Sequence, residues 1–183
     1  MGGATDRPVI VCDASVALAW LLEESAPAWV PGFWDAVAGG RVGVTVPTLF
    51  WMEVGNRLVR RRDLADEQVM EGIIKVEWLT FETVETDRSL RVMAMHLARQ
   101  HRLSAYDALY LALAQVSEAQ LATLDQRLGA AATAMGRRYG EVGGLATHEA
   151  PAEYGTNLPA DPMSLAALGA YIAQLREQIP ADD

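Results

Sequence analysis

Cysteine and histidine are scarce in this chain of 183 residues. The single cysteine, Cys12, lies inside an apolar run and has no second cysteine with which to form an internal disulfide. The three histidines include no pair at the i,i+4 spacing of an HExxH zinc site. We therefore expect a cytoplasmic protein that folds in a reducing compartment and binds no zinc through these residues.

Phosphate-binding loops and long hydrophobic runs are absent from the sequence as well. The glycine pairs 39–40 and 143–144 lack the spacing of a dinucleotide or Walker motif. No uncharged stretch reaches the length of a membrane span, and the initial MGGATDRP carries no apolar signal core. These absences argue against a nucleotide-loop enzyme and against membrane association.

Positive charge is in deficit. The chain has 24 acidic residues against 15 lysines and arginines, and its formal net charge is −9. General electrostatic attraction to nucleic acid is therefore not favoured. The bases are nearly all arginine, with Lys75 the one lysine, and the planar guanidinium suits specific phosphate contacts.

Short apolar strands alternate with helical segments along most of the chain, which predicts an α/β sandwich around a mainly parallel central sheet. In such sheets, functional groups gather where the strands end. We predict strands over 8–13, 42–46, 81–84, 122–124 and 142–145. We predict helices over 15–22, 27–37, 48–62, 66–78, 87–101, 104–116 and 126–138.

The sequence changes character after residue 146. Residues 147–162 contain three prolines and little periodicity, so we predict a linker there. Residues 163–183 regain helical spacing and predict an amphipathic helix with a short tail, which would pack on the domain or on a partner. The predicted organisation is a domain over 1–146, the linker, and this C-terminal helical extension.

Four acidic residues stand where an apolar segment meets a turn or a helix start. Such acids are costly unless something pairs with them or they face a solvent cleft. If the fold brings them together, their oxygens form a site for a hard divalent cation such as Mg²⁺ or Mn²⁺. The four are Asp13 in VIVCDAS, Glu53 in LFWMEVGN, Asp107 in SAYDALYLALA and Asp125 in LATLDQRL.

Each acid also has a purely structural alternative. Asp13 and Asp125 precede predicted helices and could cap them. Asp107 follows Ser104 at the spacing of a capping box. Glu53 could form an i,i+4 ion pair with Arg57, which stabilises a helix by only about 0.2–0.5 kcal/mol.

Three polar neighbours could hold the metal ligands or a bound water in place. Ser15 follows Asp13 by two residues, and Thr123 precedes Asp125 by two. Asn56 lies one helical turn after Glu53. Alternatively, Ser15 only caps a helix and Thr123 only fills a strand.

Taken together and in this order, the blocks CDASVALAW, EVGN, SAYDALYLALA and LATLDQRLGAAA resemble the PIN-domain ribonucleases. The likeness is to the VapC-like toxins of bacterial toxin–antitoxin pairs and covers roughly residues 8–145. YDALYLALA followed by TLDQRL is its most specific part.

The resemblance implies a parallel five-stranded sheet flanked by helices and endonucleolytic cleavage of RNA. It also implies Mg²⁺ or Mn²⁺ held by the catalytic acids, a homodimer, and a cognate antitoxin that blocks the acidic pocket. The matching acids are Asp13, Glu53, Asp107 and Asp125. Independently of the family, four carboxylates that repel one another need cations to be stable at neutral pH.

Two other functions remain open at this point. An α/β phosphatase of the haloacid-dehalogenase type, or a phospho-accepting receiver, also carries an aspartate after its first strand. The phosphatase needs a second aspartate where this chain has Ser15, and both need a late lysine that Lys75 does not match. The second alternative is a catalytically inactive PIN-like module that binds or regulates a partner.

Overall fold

Four parallel strands form the central sheet of the structure, a computed structural model that describes residues 7–79 and 81–140. Across the sheet, the third strand in the chain lies at one edge, followed by the second, the first and the fourth. Every neighbouring pair is parallel. In chain order the strands are β1 (Val9–Cys12), β2 (Gly43–Pro47), β3 (Glu82–Val84) and β4 (Gln120–Ala122).

Helices occupy most of the connections between these strands, as the alternating pattern predicts, so the α/β fold class is confirmed. None of the helices within 7–79 and 81–140 is both long enough and apolar enough to cross a membrane. The helices are α1 (Ala14–Leu21), α2 (Trp29–Ala38), α3 (Leu49–Val59), α4 (Asp66–Glu77), α5 (Arg88–His101), α6 (Ala105–Val116) and α7 (Gln126–Ala134).

Helix α6 is the most deeply buried helix of the described chain. All seven residues from Ala108 to Ala114 are buried, because α6 packs on β1, β2 and β4 and also against α5 and α7. Leu111 and Leu113 are almost fully buried, and each such side chain contributes about 1.5–3 kcal/mol of transfer free energy. This packing fixes the position of the polar first turn of α6.

The strand order reverses beside β1. The chain runs from β1 outward through β2 to β3 and then returns to place β4 on the other side of β1. The ends of β1 and β4 are in register, Cys12 opposite Ala122, and the amide of Asp13 donates to the Ala122 carbonyl at 2.9 Å. Such a reversal opens a crevice at the carboxyl ends of a parallel sheet, where ligands bind in open α/β folds.

The sheet differs from the prediction in its number of strands. The resemblance implies five strands, and the structure has four in the described residues. The predicted strand over 142–145 lies outside them, as do the linker over 147–162 and the helix over 163–183.

Several element boundaries were also wrong; helix α3, for example, ends at Val59 rather than at residue 62. Strand β4 ends at Ala122, two residues before the predicted end, so Thr123 lies just beyond the strand. Helix α7 ends at Ala134 rather than at residue 138. Gly136 has a φ of 66°, and this left-handed turn brings Arg138 back beside Leu121, where the two form a parallel bridge.

Candidate metal centre

Asp13 is the first residue after β1 and is nearly buried, with 7% of its surface exposed. It stands at the N-cap of α1, but its side chain makes no capping hydrogen bond. Instead, the Oδ2 atom accepts hydrogen bonds from the hydroxyls of Ser15 and Thr123, the latter at 2.8 Å. The capping alternative for this carboxylate is therefore not what the structure shows.

The same two hydroxyls tie β1 to the loop that follows β4. Ser15 Oγ accepts from the Leu124 amide at 3.0 Å, and Thr123 Oγ1 accepts from the Asp125 amide at 3.0 Å. Each hydroxyl thus accepts a hydrogen bond from a backbone amide and donates one to the Asp13 carboxylate. The Asp13 carboxylate is held at the end of the sheet by contacts across 110 residues of sequence.

Glu53 lies in the middle of α3, is half-buried, and accepts a hydrogen bond at Oε2 from the hydroxyl of Tyr110. None of the ion pairs among the described residues joins Glu53 to Arg57. The contact between Tyr110 and Glu53 was not predicted from the sequence. Tyr110 lies three residues after Asp107 on one helix, and this spacing could have indicated that the two share a face.

Asp107 lies in the first turn of α6 and is half-buried. Ser104 Oγ accepts from the Asp107 amide at 3.0 Å and donates to the Asp107 Oδ2 atom at 2.7 Å. Local capping chemistry is therefore present at this position. It does not exclude ion binding, because no hydrogen bond from a described residue reaches the second oxygen of the carboxylate.

Asp125 and Asn56 share no direct hydrogen bond or ion pair with the other three acids among the described residues. Asp125 is exposed, and its Oδ1 atom accepts a hydrogen bond from the Leu128 amide at 2.7 Å. Asp125 therefore caps α7, as its structural alternative predicts. Its connection to Asp13 runs through Thr123, which bonds both residues. Asn56 is exposed on α3.

Electrostatics join three of the four acids into one cluster. Burial raises the pKa of Asp13, against the lowering effect of the Ser15 and Thr123 hydroxyls, and the charge of Asp107 raises it further. Burial likewise raises the pKa of Glu53, against the effect of Tyr110, and the charges of Asp13 and Asp107 add to the rise. No lysine, arginine or histidine in 7–79 or 81–140 pairs with any of the three.

The cluster has the donor chemistry of a divalent cation site, since carboxylate oxygens are the ligands that Mg²⁺ and Mn²⁺ prefer. Its acids interact through space but are not gathered at ligand distance: the described residues contain no group of three His, Cys, Asp or Glu side chains already arranged around one point. An ion that offsets their mutual repulsion would favour their closer approach.

Several solved structures share this fold. PAE2754 from Pyrobaculum aerophilum is 25% identical, with a TM-score of 0.52 over 70% of this chain and 87% of that one. The Mycobacterium tuberculosis toxin VapC20, which cleaves the sarcin–ricin loop, is 16% identical, with a TM-score of 0.53 over 67% and 94%. VapBC2 from Rickettsia felis, bound to a promoter DNA fragment, is 12% identical, with a TM-score of 0.50 over 64% and 87%.

No curated protein matches the sequence. The model of the PIN domain matches residues 10–134, which is more than half of the chain. That range begins in β1 and ends with α7, so it contains all four acids and the hydroxyls that bond them. The chain therefore belongs to the PIN domain family.

Proposed function

We propose that this protein is a metal-dependent endoribonuclease whose Mg²⁺ or Mn²⁺ is held by Asp13, Glu53 and Asp107, with Asp125 beside them. The observation that carries the proposal is a cluster of three carboxylates at the sheet's crevice, each bonded to a neutral hydroxyl and none paired with a cation among the described residues. Bringing negative charges together at this depth is unfavourable without a counter-charge. A divalent cation supplies that charge.

The residues divide the chemical work between them. Ser15 and Thr123 hold the Asp13 carboxylate, and the first turn of α6 presents Asp107. A bound ion would lower the pKa of a water for attack on phosphorus and neutralise charge on the phosphate. Asp125 is the exposed acid of the set, which suits it to accept the proton of the attacking water as general base.

We further propose that the chain is the toxin of a toxin–antitoxin pair, that it acts in the cytoplasm as a homodimer, and that a cognate antitoxin silences it. The support is the family, together with the likeness in fold to VapC20 and VapBC2. Membership of the PIN family also argues against the α/β phosphatase alternative. The remaining alternative is an inactive PIN-like module.

Cleavage assays on protein purified away from any antitoxin test the activity. Wild type should cut RNA when Mg²⁺ or Mn²⁺ is added and should be inactive in a chelator. Asp107→Asn should be inactive in both conditions, because the amide removes one negative ligand while keeping the shape of the side chain. Equal cleavage by wild type and this variant, or no cleavage by either, would contradict the proposed nuclease.

Wild type and Asp107→Asn also distinguish a binding module from a nuclease. An inactive module would bind its partner equally well as wild type and as Asp107→Asn and would cut no RNA in either form. A nuclease toxin should lose cleavage in the variant and still bind the antitoxin encoded beside it.

A further inference from the structure

We infer that Tyr110 is a positioning residue that holds Glu53 beside Asp13 and Asp107 and thereby sets the affinity of the site for a divalent cation. This inference rests on the proposed metal-dependent function. It concerns a residue outside the acidic set, on a helix that also carries one of the acids.

The geometry places the Tyr110 hydroxyl inside the acidic cluster. Tyr110 is fully buried, and its hydroxyl donates to Glu53 Oε2. Burial and the neighbouring charge of Glu53 raise its pKa, and Asp13 and Cys12 contribute as well, so the phenol lies near the end of β1. It stays a neutral donor at physiological pH.

A neutral donor suits a metal ligand better than a cation would. An arginine in the same place would pair with the carboxylate and cancel the charge that attracts the ion. The hydroxyl fixes one oxygen of Glu53 and leaves the negative charge intact. No hydrogen bond from a described residue reaches the second oxygen, Oε1, which therefore remains able to bind an ion.

Without this donor, Glu53 would have little to hold it in place. A glutamate side chain loses up to about 1.5–2 kcal/mol of rotamer entropy when it is fixed, and Glu53 is only half-buried. Tyr110 and Asp107 lie three residues apart on α6, whose burial makes the helix rigid. One rigid helix thus supplies Asp107 and orients Glu53 on α3, across 57 residues of sequence.

Calorimetric titration with Mn²⁺ tests the inference on the full chain. Tyr110→Phe keeps the buried ring and removes the hydroxyl, and it should weaken Mn²⁺ binding about 10- to 100-fold, as is typical of residues that orient a metal ligand. The matched control is Tyr139→Phe, because Tyr139 packs against the rings of Trp29 and Phe33. The control should bind Mn²⁺ as wild type does.

RNA cleavage supplies a second readout. If Tyr110 acts through the ion, saturating Mn²⁺ should restore much of the lost kcat, with the KM for RNA unchanged. In a Glu53→Gln background, Tyr110→Phe should weaken Mn²⁺ binding no further, because the two residues act as one unit. A lower unfolding temperature with wild-type Mn²⁺ affinity would show a merely structural role and overturn the inference.

Fluorine NMR keeps the test independent of any variant at position 110. The protein is labelled with 3-fluorotyrosine, and the resonances of the other four tyrosines are assigned by changing each of them to Phe in turn. The resonance that remains belongs to Tyr110. That resonance should move saturably as Mg²⁺ is added, while that of Tyr139 stays still. If wild type binds Mg²⁺ and the Tyr110 resonance does not move, the inference is wrong; if wild type binds neither ion, the proposed function is wrong.

Discussion

Two groups of acids in this protein are held in opposite ways. On the surface, Asp63 receives two bonds from the guanidinium of Arg61, both at 2.8 Å, and Arg61 also reaches Glu24 at 3.3 Å. The hydrogen bonds from Arg61 lower the pKa of Asp63 to about 2. At the end of the sheet, Asp13 and Glu53 accept hydrogen bonds from hydroxyls and pair with no cation among the described residues, and burial raises their pKa values.

The difference separates a structural acid from the acids that we propose bind a cation. An exposed ion pair satisfies both of its partners and adds little to stability. The cluster at the end of the sheet is partly buried, so ionisation of Asp13 and Glu53 lowers stability, and the hydroxyls orient these carboxylates without neutralising them. We interpret that loss of stability as the price of a cation site.

The largest expected effect contrasts one acid from each group. Asp13→Asn should lower kcat/KM for RNA about 1000-fold, since loss of an ion ligand removes several kcal/mol of transition-state stabilisation. Asp63→Asn should leave it within about twofold, because exposed charges distant from the reacting atoms contribute little. Steady-state cleavage kinetics measure both. A comparable loss in the two variants would remove the distinction between the groups.

A smaller effect is expected from the hydroxyls. Thr123→Val keeps the shape of the side chain and deletes a donor to Asp13, so Mn²⁺ affinity measured by calorimetry should fall about 10-fold or more. Thr45→Val is the matched control, because Thr45 is equally buried and its hydroxyl donates to the Glu82 carbonyl on the neighbouring strand. If the two variants bind Mn²⁺ alike, the hydroxyls do not position the ligands.

The pH dependence of stability should have opposite signs in the two groups. The pKa values of Asp13 and Glu53 are raised in the folded protein, so their protonated forms favour folding, and this contribution is lost as pH rises from about 4 through the raised values. The pKa of Asp63 is lowered, so its contribution is present above 3.8 and is lost as pH falls toward about 2.

Thermal unfolding in a chelator, measured between pH 4 and 7, checks the first of these signs. Asp13→Asn should flatten the decline in unfolding temperature that wild type shows toward neutral pH, since the amide does not ionise. Asp63→Asn should leave that decline unchanged. A wild-type curve that declines no more steeply than that of Asp13→Asn would contradict the raised pKa of Asp13.

Sequence patterns predicted the strands and helices of the described residues because these elements depend on local periodicity. Strand β1 is a continuous apolar run and α6 an apolar helix, and each was predicted within about two residues. Capping was also readable where it is local, as with Ser104 and Asp107. The end of β4 could not be predicted from the local sequence, because the pairing of β4 with β1 decides where the strand ends.

Other partners of the acids come from segments far away in the sequence, which no local pattern predicts. An aspartate before a helix is typical of an N-cap, yet the Asp13 side chain accepts a hydrogen bond from Thr123, 110 residues away. The spacing of Glu53 and Arg57, one helical turn apart, indicated an ion pair, but in the structure Glu53 accepts a hydrogen bond from Tyr110. These contacts follow from the order of the strands and the burial of α6, which together bring distant segments to one end of the sheet.

The most direct test of the cation site is the shift in unfolding temperature that Mn²⁺ produces in three proteins. An ion that binds only the folded state at about 100 times its Kd stabilises it by about 2.7 kcal/mol. Wild type and Asp63→Asn should therefore gain the same several degrees in saturating Mn²⁺, and Asp13→Asn should gain little at that concentration. An equal shift in all three proteins, or no shift in wild type, would contradict a cation site built on Asp13.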